Sequence, residues 1–322
     1  MIMADLKQIF KKQGGVKLLK QYWRGGGLFT AAGQFLLLGK SRTALEILRL
    51  STQLKAKQKL QRKFRDHLEA FDRSFDESLP HERGDRVWIC WFQGMENAPA
   101  LVRKCYDSVR ENMTGREIVL ITGENMADYV QFPDHILEKW RSGKITNTHM
   151  TDLLRLELLI RYGGLWLDAT VLCTRKEEAI PGYYFDSNLF FCQCLKPGRD
   201  GHSHLCSSWL MSAKTNHKLL MAVRELCYEY WRRYDDMIDY FLLHDFMSIC
   251  LERYPEIWQN VVPVCNSTPH ILLLRLFEPY NETMWKAICD QTPFHKLTYK
   301  FQPEQTGLEG TYYRKLLADG DL

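Results

Sequence analysis

The most constraining feature of this sequence is the segment at residues 151–173, which reads TDLLRLELLIRYGGLWLDATVLC. Its first part carries leucines too densely for a helix with one solvated face, so we predict a helix buried against a sheet. Thr151 or Asp152 could cap the start of this helix, and Gly163 could end it. The run LWLDATVLC then resumes a strand. These elements predict an α/β protein.

Two strand-like runs precede that segment. Residues 85–94 (DRVWICWFQG) and 117–122 (EIVLIT) are short and apolar, and an amphipathic helix is predicted between them at residues 98–113. The order strand, helix, strand predicts a right-handed parallel connection. Later in the chain, NLFFCQCLK and CSSWLMSAK read as further strands, and helices are predicted from residue 218 onward.

The charge of the chain is distributed unevenly. Residues 1–65 contain 15 Lys and Arg but only Asp5 and Glu46 as acidic residues, a net charge of +13, whereas the rest of the chain has a net charge of −9. This asymmetry is typical of a segment that meets phospholipid headgroups or nucleic acid, although a solvated helical face carries the same pattern. No nucleic-acid motif accompanies it and the remainder is acidic, so we expect no nucleic-acid partner.

The first 80 residues are predicted to form a basic helical segment that docks on a membrane or on a partner, followed by a globular domain at residues 81–322. Glycines at 25–27 are expected to break the segment into two helical pieces. Apolar residues at helical spacing form its stripe: Leu45, Leu48, Leu54, Leu60, Phe64, Leu68 and Phe71.

Its most apolar part, residues 28–39, is shorter than the roughly 20 residues that a membrane span needs, and no cleavage site follows it. Together with ten cysteines, which suit a reducing compartment, this predicts a cytoplasmic protein that lies peripherally at the inner face of the cell membrane.

Candidate site residues follow two of the predicted strands. Ligands bind beyond the carboxyl ends of strands in open α/β sheets, and Gln93 and Asp168 lie at such ends. We therefore expect one cleft, lined by Trp88 or Trp91 on one side and by Asp168 on the other. An aromatic ring can stack on a nucleobase, and a carboxylate can bind sugar hydroxyls or a divalent cation.

Asp152 and Arg155 form a polar pair on the otherwise apolar helix, three residues apart and so on one face. One interpretation is a structural ion pair, because buried charges are usually paired. The other is a pair that faces a sugar and a phosphate, since the planar guanidinium can donate two parallel hydrogen bonds to a diphosphate.

Several of these stretches carry a family resemblance. WICWFQGMENAPALVRKCYDSVREN followed by TDLLRLELLIRYGGLWLDATVLC resembles the capsular polysaccharide synthesis glycosyltransferases, which are DXD-type sugar transferases related to yeast mannosyltransferases and clostridial toxin glucosyltransferases. The resemblance extends over about residues 85–300 and includes EYWRRYDDMIDYFLLHDF and HKLTYK. It implies a glycosyltransferase A-type fold, a Rossmann-like mixed sheet flanked by helices, that binds a nucleotide-sugar donor.

The resemblance also implies roles for particular residues. Asp152 and Arg155 match the family's Asp-x-x-Arg pair near the donor sugar and phosphates, and Asp168 matches the first Asp of the DXD motif; these three are the implied catalytic residues. The glycines at 163 and 164 would allow the chain to turn tightly before the strand, and a simple helix stop explains them equally well. The implied donor-binding residues, with Trp91 against the base, are Trp91, Gln93, Gly164 and Trp166.

Thr170 departs from the family pattern, because the second motif carboxylate, the usual metal ligand, is missing there. A hydroxyl replaces an anionic oxygen poorly on a hard cation. Two alternatives follow. Asp168 binds Mn²⁺ or Mg²⁺ with His244 or Asp245, or Arg and Lys side chains neutralise the leaving nucleoside diphosphate without a metal.

The sequence and its family resemblance thus predict a glycosyltransferase that moves a sugar from a nucleotide-sugar to a growing bacterial surface polysaccharide, with an oligosaccharide or a lipid-linked glycan as acceptor. Retention of configuration is what the resemblance implies. The basic residues 1–65 would dock on the anionic membrane that holds the acceptor. The alternative is a non-catalytic subunit of a membrane-associated assembly complex that binds nucleotide-sugar or polysaccharide. The loss of the second motif carboxylate favours this alternative.

Overall fold

A computed structural model describes residues 16–194 and 203–318. The end of the predicted strand NLFFCQCLK lies outside these residues. The helices are α1 (Val16–Gly25), α2 (Leu28–Leu38), α3 (Arg42–Ser74), α4 (Ala100–Asn112), α5 (Met126–Tyr129), α6 (Asp134–Arg141), α7 (Asn147–Tyr162), α8 (Tyr183–Asp186), α9 (Lys218–Arg233), α10 (Leu242–Arg253), α11 (Pro255–Asn260), α12 (Ile271–Arg275), α13 (Glu282–Gln291), α14 (Pro303–Thr306) and α15 (Tyr312–Leu317). The strands are β1 (Arg86–Cys90), β2 (Glu117–Ile121), β3 (Gly164–Leu167), β4 (Val171–Cys173), β5 (Leu189–Gln193), β6 (Cys206–Ala213) and β7 (Phe294–Lys296).

The main sheet is mixed. Within the described ranges its five strands lie in the order β2-β1-β3-β6-β5, with β1 parallel to both β2 and β3, and β6 antiparallel to β3 and β5. Strands β4 and β7 pair separately in antiparallel orientation. Because β1 and β3 are parallel, Trp91 and Asp168, which follow them, lie at the same edge of the sheet. The predicted α/β class is confirmed.

Alternate residues of the strands face two different cores, as the period of a β-strand requires. Trp88 and Trp166 point into a core shared with the helices α3, α7, α9 and α10, while Val87 and Leu165 point to the opposite face. The helical extension predicted at the amino terminus is confirmed, and its helix α3 buries Phe64 in the first core. The division of the chain at residue 80 stays a prediction.

Helix α7 is the buried helix that the leucine-rich pattern predicts, but it begins at Asn147 and not at residue 151. The capping prediction was wrong, because the hydroxyl of Thr146 accepts the backbone N–H of His149 at 3.2 Å and caps the helix. Asp152 is therefore one turn inside the helix, and its carboxylate is available for other contacts. Gly163 ends the helix as predicted, with φ +64°.

The run LWLDATVLC is two strands, not the single strand that its apolar pattern predicts. β3 stops at Leu167, and a turn closed by the Val171 N–H and the Asp168 carbonyl, 3.0 Å apart, redirects the chain into β4. The polar residues interrupt the apolar run at this turn. Asp168 thus lies where the chain leaves the main sheet.

The amino-terminal helices break at two glycine positions. The predicted break after Gly25 separates α1 from α2, and a second break at Gly39, with φ +73°, separates α2 from α3. In the described part of the chain no helix combines the length and the apolar character needed to cross a membrane. All ten cysteines are free thiols in this structure.

Candidate active site

The candidate active site is a cleft of about 260 Å³ at the carboxyl end of β3. Helix α7, the turn after β3, strand β6, the start of α10 and strand β7 form its walls. Side chains from all five elements reach it: Asp152, Arg155, Asp168, Ser208, His244 and Lys296. The cleft therefore brings together the three catalytic residues that the resemblance implies.

Asp168 is held by nitrogen donors on both carboxylate oxygens. Its Oδ1 accepts from Arg155 Nη2 at 3.1 Å and from Trp166 Nε1 at 3.0 Å, and its Oδ2 accepts from Lys296 Nζ at 2.9 Å. Burial raises the pKa of Asp168, but the nearby Lys296 and Arg155 cations outweigh it and hold that pKa below its usual value. The carboxylate is ionised at neutral pH and 27% exposed.

Lys296 reaches the site from β7, a strand that was not predicted to be part of it. Its ammonium also lies 2.6 Å from Thr170 Oγ1, and the backbone N–H of Leu297 donates to the Thr170 carbonyl at 2.9 Å. Lys296 belongs to the HKLTYK stretch of the family resemblance, which was the available indication. Nothing in the local spacing links it to Asp168, because the two residues are 128 positions apart.

Arg155 lies at the centre of the charged network. Its guanidinium pairs with Asp152 Oδ1 at 3.0 Å and with Asp168, and it lies over the Trp166 ring at 5.0 Å from the ring centroid. Asp152 also contacts His149 Nδ1 at 3.3 Å. Asp152 and Arg155 thus form the predicted ion pair and also line the cleft, so both interpretations of the pair fit the geometry.

His244 is connected to this network through Ser208. Arg155 Nη1 donates to Ser208 Oγ, and Ser208 Oγ lies 3.1 Å from His244 Nε2. Burial lowers the pKa of His244 to about 3, so the imidazole is neutral at pH 7. Ser208 Oγ thus contacts both the Arg155 guanidinium and the His244 imidazole. His149 and Ser208 were not among the residues identified from the sequence.

The donor set around Asp168 does not match a divalent cation. Mg²⁺ and Mn²⁺ prefer several oxygen ligands, whereas two cationic side chains and an indole N–H surround this carboxylate. Within residues 16–194 and 203–318, no cluster of three or more His, Cys, Asp or Glu side chains has the geometry of a metal site. Ligation by Asp168 and His244 stays a prediction.

Trp91 lies at the same sheet edge but outside the cleft. Its ring packs edge-on against Tyr299, with centroids 5.3 Å apart, and its buried indole N–H has no hydrogen-bond partner in the described structure. Tyr299 lies three residues after Lys296, so one short segment carries both a cleft residue and the ring that packs against Trp91. Gln93 is exposed near Trp91. Trp88 is fully buried and donates to the Gly163 carbonyl, which excludes it as a cleft residue.

Two of the implied donor-binding residues, Gly164 and Trp166, support the fold and do not line the cleft. Gly164 lies at the amino end of β3, opposite to Asp168, and the structure does not bring it into the cleft. A Cβ there would lie 2.4 Å from the Arg86 carbonyl oxygen. Trp166 is 1% exposed. It donates a hydrogen bond to Asp168 and packs its ring against the Arg155 guanidinium, and so orients both side chains. Its effect on a donor would act through these two residues.

Fold and cleft together define an α/β protein with a cleft beyond the carboxyl ends of its parallel strands, the edge at which open α/β sheets bind ligands. The family follows from sequence comparison. A profile of the family described as "Capsular polysaccharide synthesis protein" matches residues 41–316, and the chain belongs to this family. The family predicted from the sequence is confirmed.

Individual relatives are named as glycosyltransferases. The chain is 27% identical over 163 residues to O-glycosyltransferase PaGT of Phomopsis amygdali, covering 47% of this chain and 40% of that protein. It is 31% identical over 103 residues to glycosyltransferase afumC of Aspergillus fumigatus, covering 29% and 26%, respectively. The chain thus spans less than half the length of these relatives. The solved structure of PaToxG glycosyltransferase is similar with a TM-score of 0.39 and 11% identity, over 81% of this chain and 95% of that chain.

Proposed function

We propose that the protein is a glycosyltransferase that moves a sugar from a nucleotide-sugar donor to an acceptor hydroxyl. The observation that carries this proposal is the ionised Asp168 at the carboxyl end of β3, held by the guanidinium of Arg155 in a solvent-accessible cleft. Membership of the family and the names of the relatives support the same reaction class.

Each charged group has a distinct role in this proposal. Asp168 accepts hydrogen bonds from ribose or sugar hydroxyls, while Arg155 donates to the diphosphate with its planar fork. Asp152 orients Arg155 through their 3.0 Å contact. Trp91 binds the base at the same sheet edge. Catalysis then rests on donor positioning and on stabilisation of the leaving group, and the reaction retains the anomeric configuration.

The acceptor in this proposal is a lipid-linked bacterial surface glycan, reached from the cytoplasmic face of the membrane. Helix α2 supports this, because Phe29, Leu36 and Leu37 are 82%, 84% and 85% exposed. Exposed Lys40 and Arg42 follow directly. Apolar side chains beside basic ones are typical of a helix that lies in the interface of an anionic membrane.

Donor cleavage tests the proposal. Purified protein is incubated with a panel of UDP-, GDP-, CDP- and dTDP-sugars, and release of the nucleoside diphosphate is followed with and without a membrane lipid extract as acceptor source. We expect release from one donor class, accelerated by the extract. Stabilisation of the protein by a nucleotide-sugar in thermal unfolding, without cleavage under any condition, would instead support the non-catalytic binding subunit.

A further inference from the structure

The ammonium of Lys296 occupies the position between the two ends of the incomplete DXD motif. It lies 2.9 Å from Asp168 Oδ2 and 2.6 Å from Oγ1 of Thr170, which replaces the second motif carboxylate. A metal ion held by two motif carboxylates would lie between the same two positions. Strand β7 fixes the lysine there, because Lys296 pairs with Val171 directly after the turn.

The surrounding charges disfavour a divalent cation in the same place. Asp168 carries one negative charge, and the cationic groups of Lys296 and Arg155 both contact it. A divalent cation bound to this carboxylate would be close to two fixed positive charges, of which Asp152 offsets only that of Arg155, and the repulsion costs free energy in a partly buried site. The hydroxyl of Thr170 adds no negative charge to offset that repulsion.

Lys296 retains the capacity to bind a further anion. An ammonium group has three N–H donors, of which Asp168 and Thr170 engage two. The side chain is 19% exposed and lines the cleft, so the third donor is accessible to a ligand there. Arg155 lies on the other oxygen of Asp168, and the two cations therefore flank one carboxylate at the cleft wall.

We propose that Lys296, held by Asp168 and Thr170, replaces the divalent cation at the donor diphosphate and makes donor binding and transfer independent of metal. This inference rests on the proposed function. In the transfer step the bond between sugar C1 and the diphosphate oxygen breaks, and its electron pair stays on that oxygen, where Lys296 and Arg155 stabilise the charge. The acceptor oxygen bonds to C1, and its proton passes to the departing diphosphate.

Binding of UDP, GDP, CDP and dTDP, measured by calorimetry in EDTA and in Mn²⁺, tests this inference. For the wild-type protein we expect one of these nucleotides to bind equally well under both conditions. Lys296→Met keeps an unbranched side chain that is one heavy atom shorter but removes its charge, and it should weaken that binding roughly 10- to 100-fold. Lys296→Arg, which keeps the charge, should retain most of the affinity.

Lys286→Met is the matched control, because Lys286 is 71% exposed on α13 and pairs only with Glu282 at 3.5 Å among the contacts described. This variant should bind as the wild type does. Circular dichroism and thermal unfolding check that Lys296→Met is folded, and Lys296→Arg provides the comparison if it is not.

Three results would overturn the inference. Nucleotide binding and donor cleavage that disappear in EDTA and return with Mn²⁺ would show a metal site while leaving the proposed function intact. A folded Lys296→Met protein with wild-type affinity would show that Lys296 does not contact the diphosphate. Absence of binding to every nucleotide under both conditions, together with no cleavage of any donor, would overturn the proposed function and this inference with it.

Discussion

The absence of a side chain at Gly164 allows β1 and β3 to approach closely. This residue has φ +95°, and a Cβ would lie 2.4 Å from the Arg86 carbonyl oxygen. We expect Gly164→Ala to destabilise the fold by about 2 kcal/mol or more, because both the backbone conformation and the contact become unfavourable. Urea unfolding monitored by circular dichroism measures the change.

Gly33→Ala is the control for that substitution. Gly33 is inside α2, and a Cβ there meets no atom within 4 Å. Alanine should therefore stabilise the protein by about 0.5–1 kcal/mol through its higher helix propensity. Equal unfolding free energies for Gly164→Ala and wild type would contradict this structural role of Gly164. They would instead favour the donor-binding role that the family resemblance implies.

Arg155 has a rigid bidentate geometry that lysine cannot reproduce. Its guanidinium contacts Asp152, Asp168 and Ser208 at once. We expect Arg155→Lys to remain folded but to lower kcat/KM for the donor about 10- to 100-fold, because one ammonium cannot bridge both carboxylates and donate to the diphosphate. Steady-state kinetics of donor cleavage check this, and an unchanged kcat/KM would assign the pair a purely structural role.

Local sequence patterns predicted part of this site. Asp152 and Arg155 could be predicted as a pair because their spacing on one helix fixes their shared face. Asp168 could be placed because it follows the apolar residues that form β3, although the turn after them was not predicted. Lys296 could not, since its contact with Asp168 depends on the pairing of β4 with β7, which joins segments that are distant in the sequence.

At the scale of secondary structure elements, His217 links the stability of α9 to pH. Its side chain caps the helix by accepting the Leu219 N–H at 3.3 Å, and burial lowers the pKa of His217 to about 4. The folded state therefore favours neutral His217, whereas the unfolded chain protonates it below about pH 6.5. The resulting stability is present above pH 6.5 and is lost as the pH falls from 6.5 towards 4.

The substitution His217→Asn keeps a side chain that can cap α9 but removes the titratable imidazole. Asparagine is a good N-cap and does not titrate in this range. Between pH 7.5 and pH 5, we expect the variant to lose about 1–2 kcal/mol less stability than wild type in urea unfolding. All other side chains are the same in the two proteins, so the comparison isolates position 217. An identical loss in both proteins would show that His217 does not carry this pH dependence.

Element types were easier to predict than element ends. The helix α7 and the strand β1 follow from apolar density and β-propensity. The start of α7 was misplaced because Asn147, Thr148 and His149 are polar and read as a loop, although Thr146 caps a helix there. The turn at Asp168 was missed since the residues on both sides are apolar and continue one strand pattern.

At the scale of the whole molecule, the charge and apolar surface of the amino-terminal helices predict membrane docking. Leu36→Asp combined with Leu37→Asp should weaken binding to vesicles of phosphatidylglycerol and phosphatidylcholine at least about tenfold, because two leucines no longer enter the interface. Co-sedimentation measures this. Leu274→Asp, at a leucine that is 80% exposed on α12, should bind as wild type. Vesicle binding that is unaffected by the α2 substitutions would contradict docking through this helix.

The most direct measurement is donor cleavage by wild-type protein and Asp168→Asn, using the nucleotide-sugar panel and the membrane lipid extract. Asparagine is nearly isosteric but removes the charge that organises Arg155 and Lys296. The account predicts that wild type releases a nucleoside diphosphate from one donor class, and that the folded variant is slower by a factor of about 100 or more. Equal rates for the two folded proteins would contradict the assignment of this cleft as the active site.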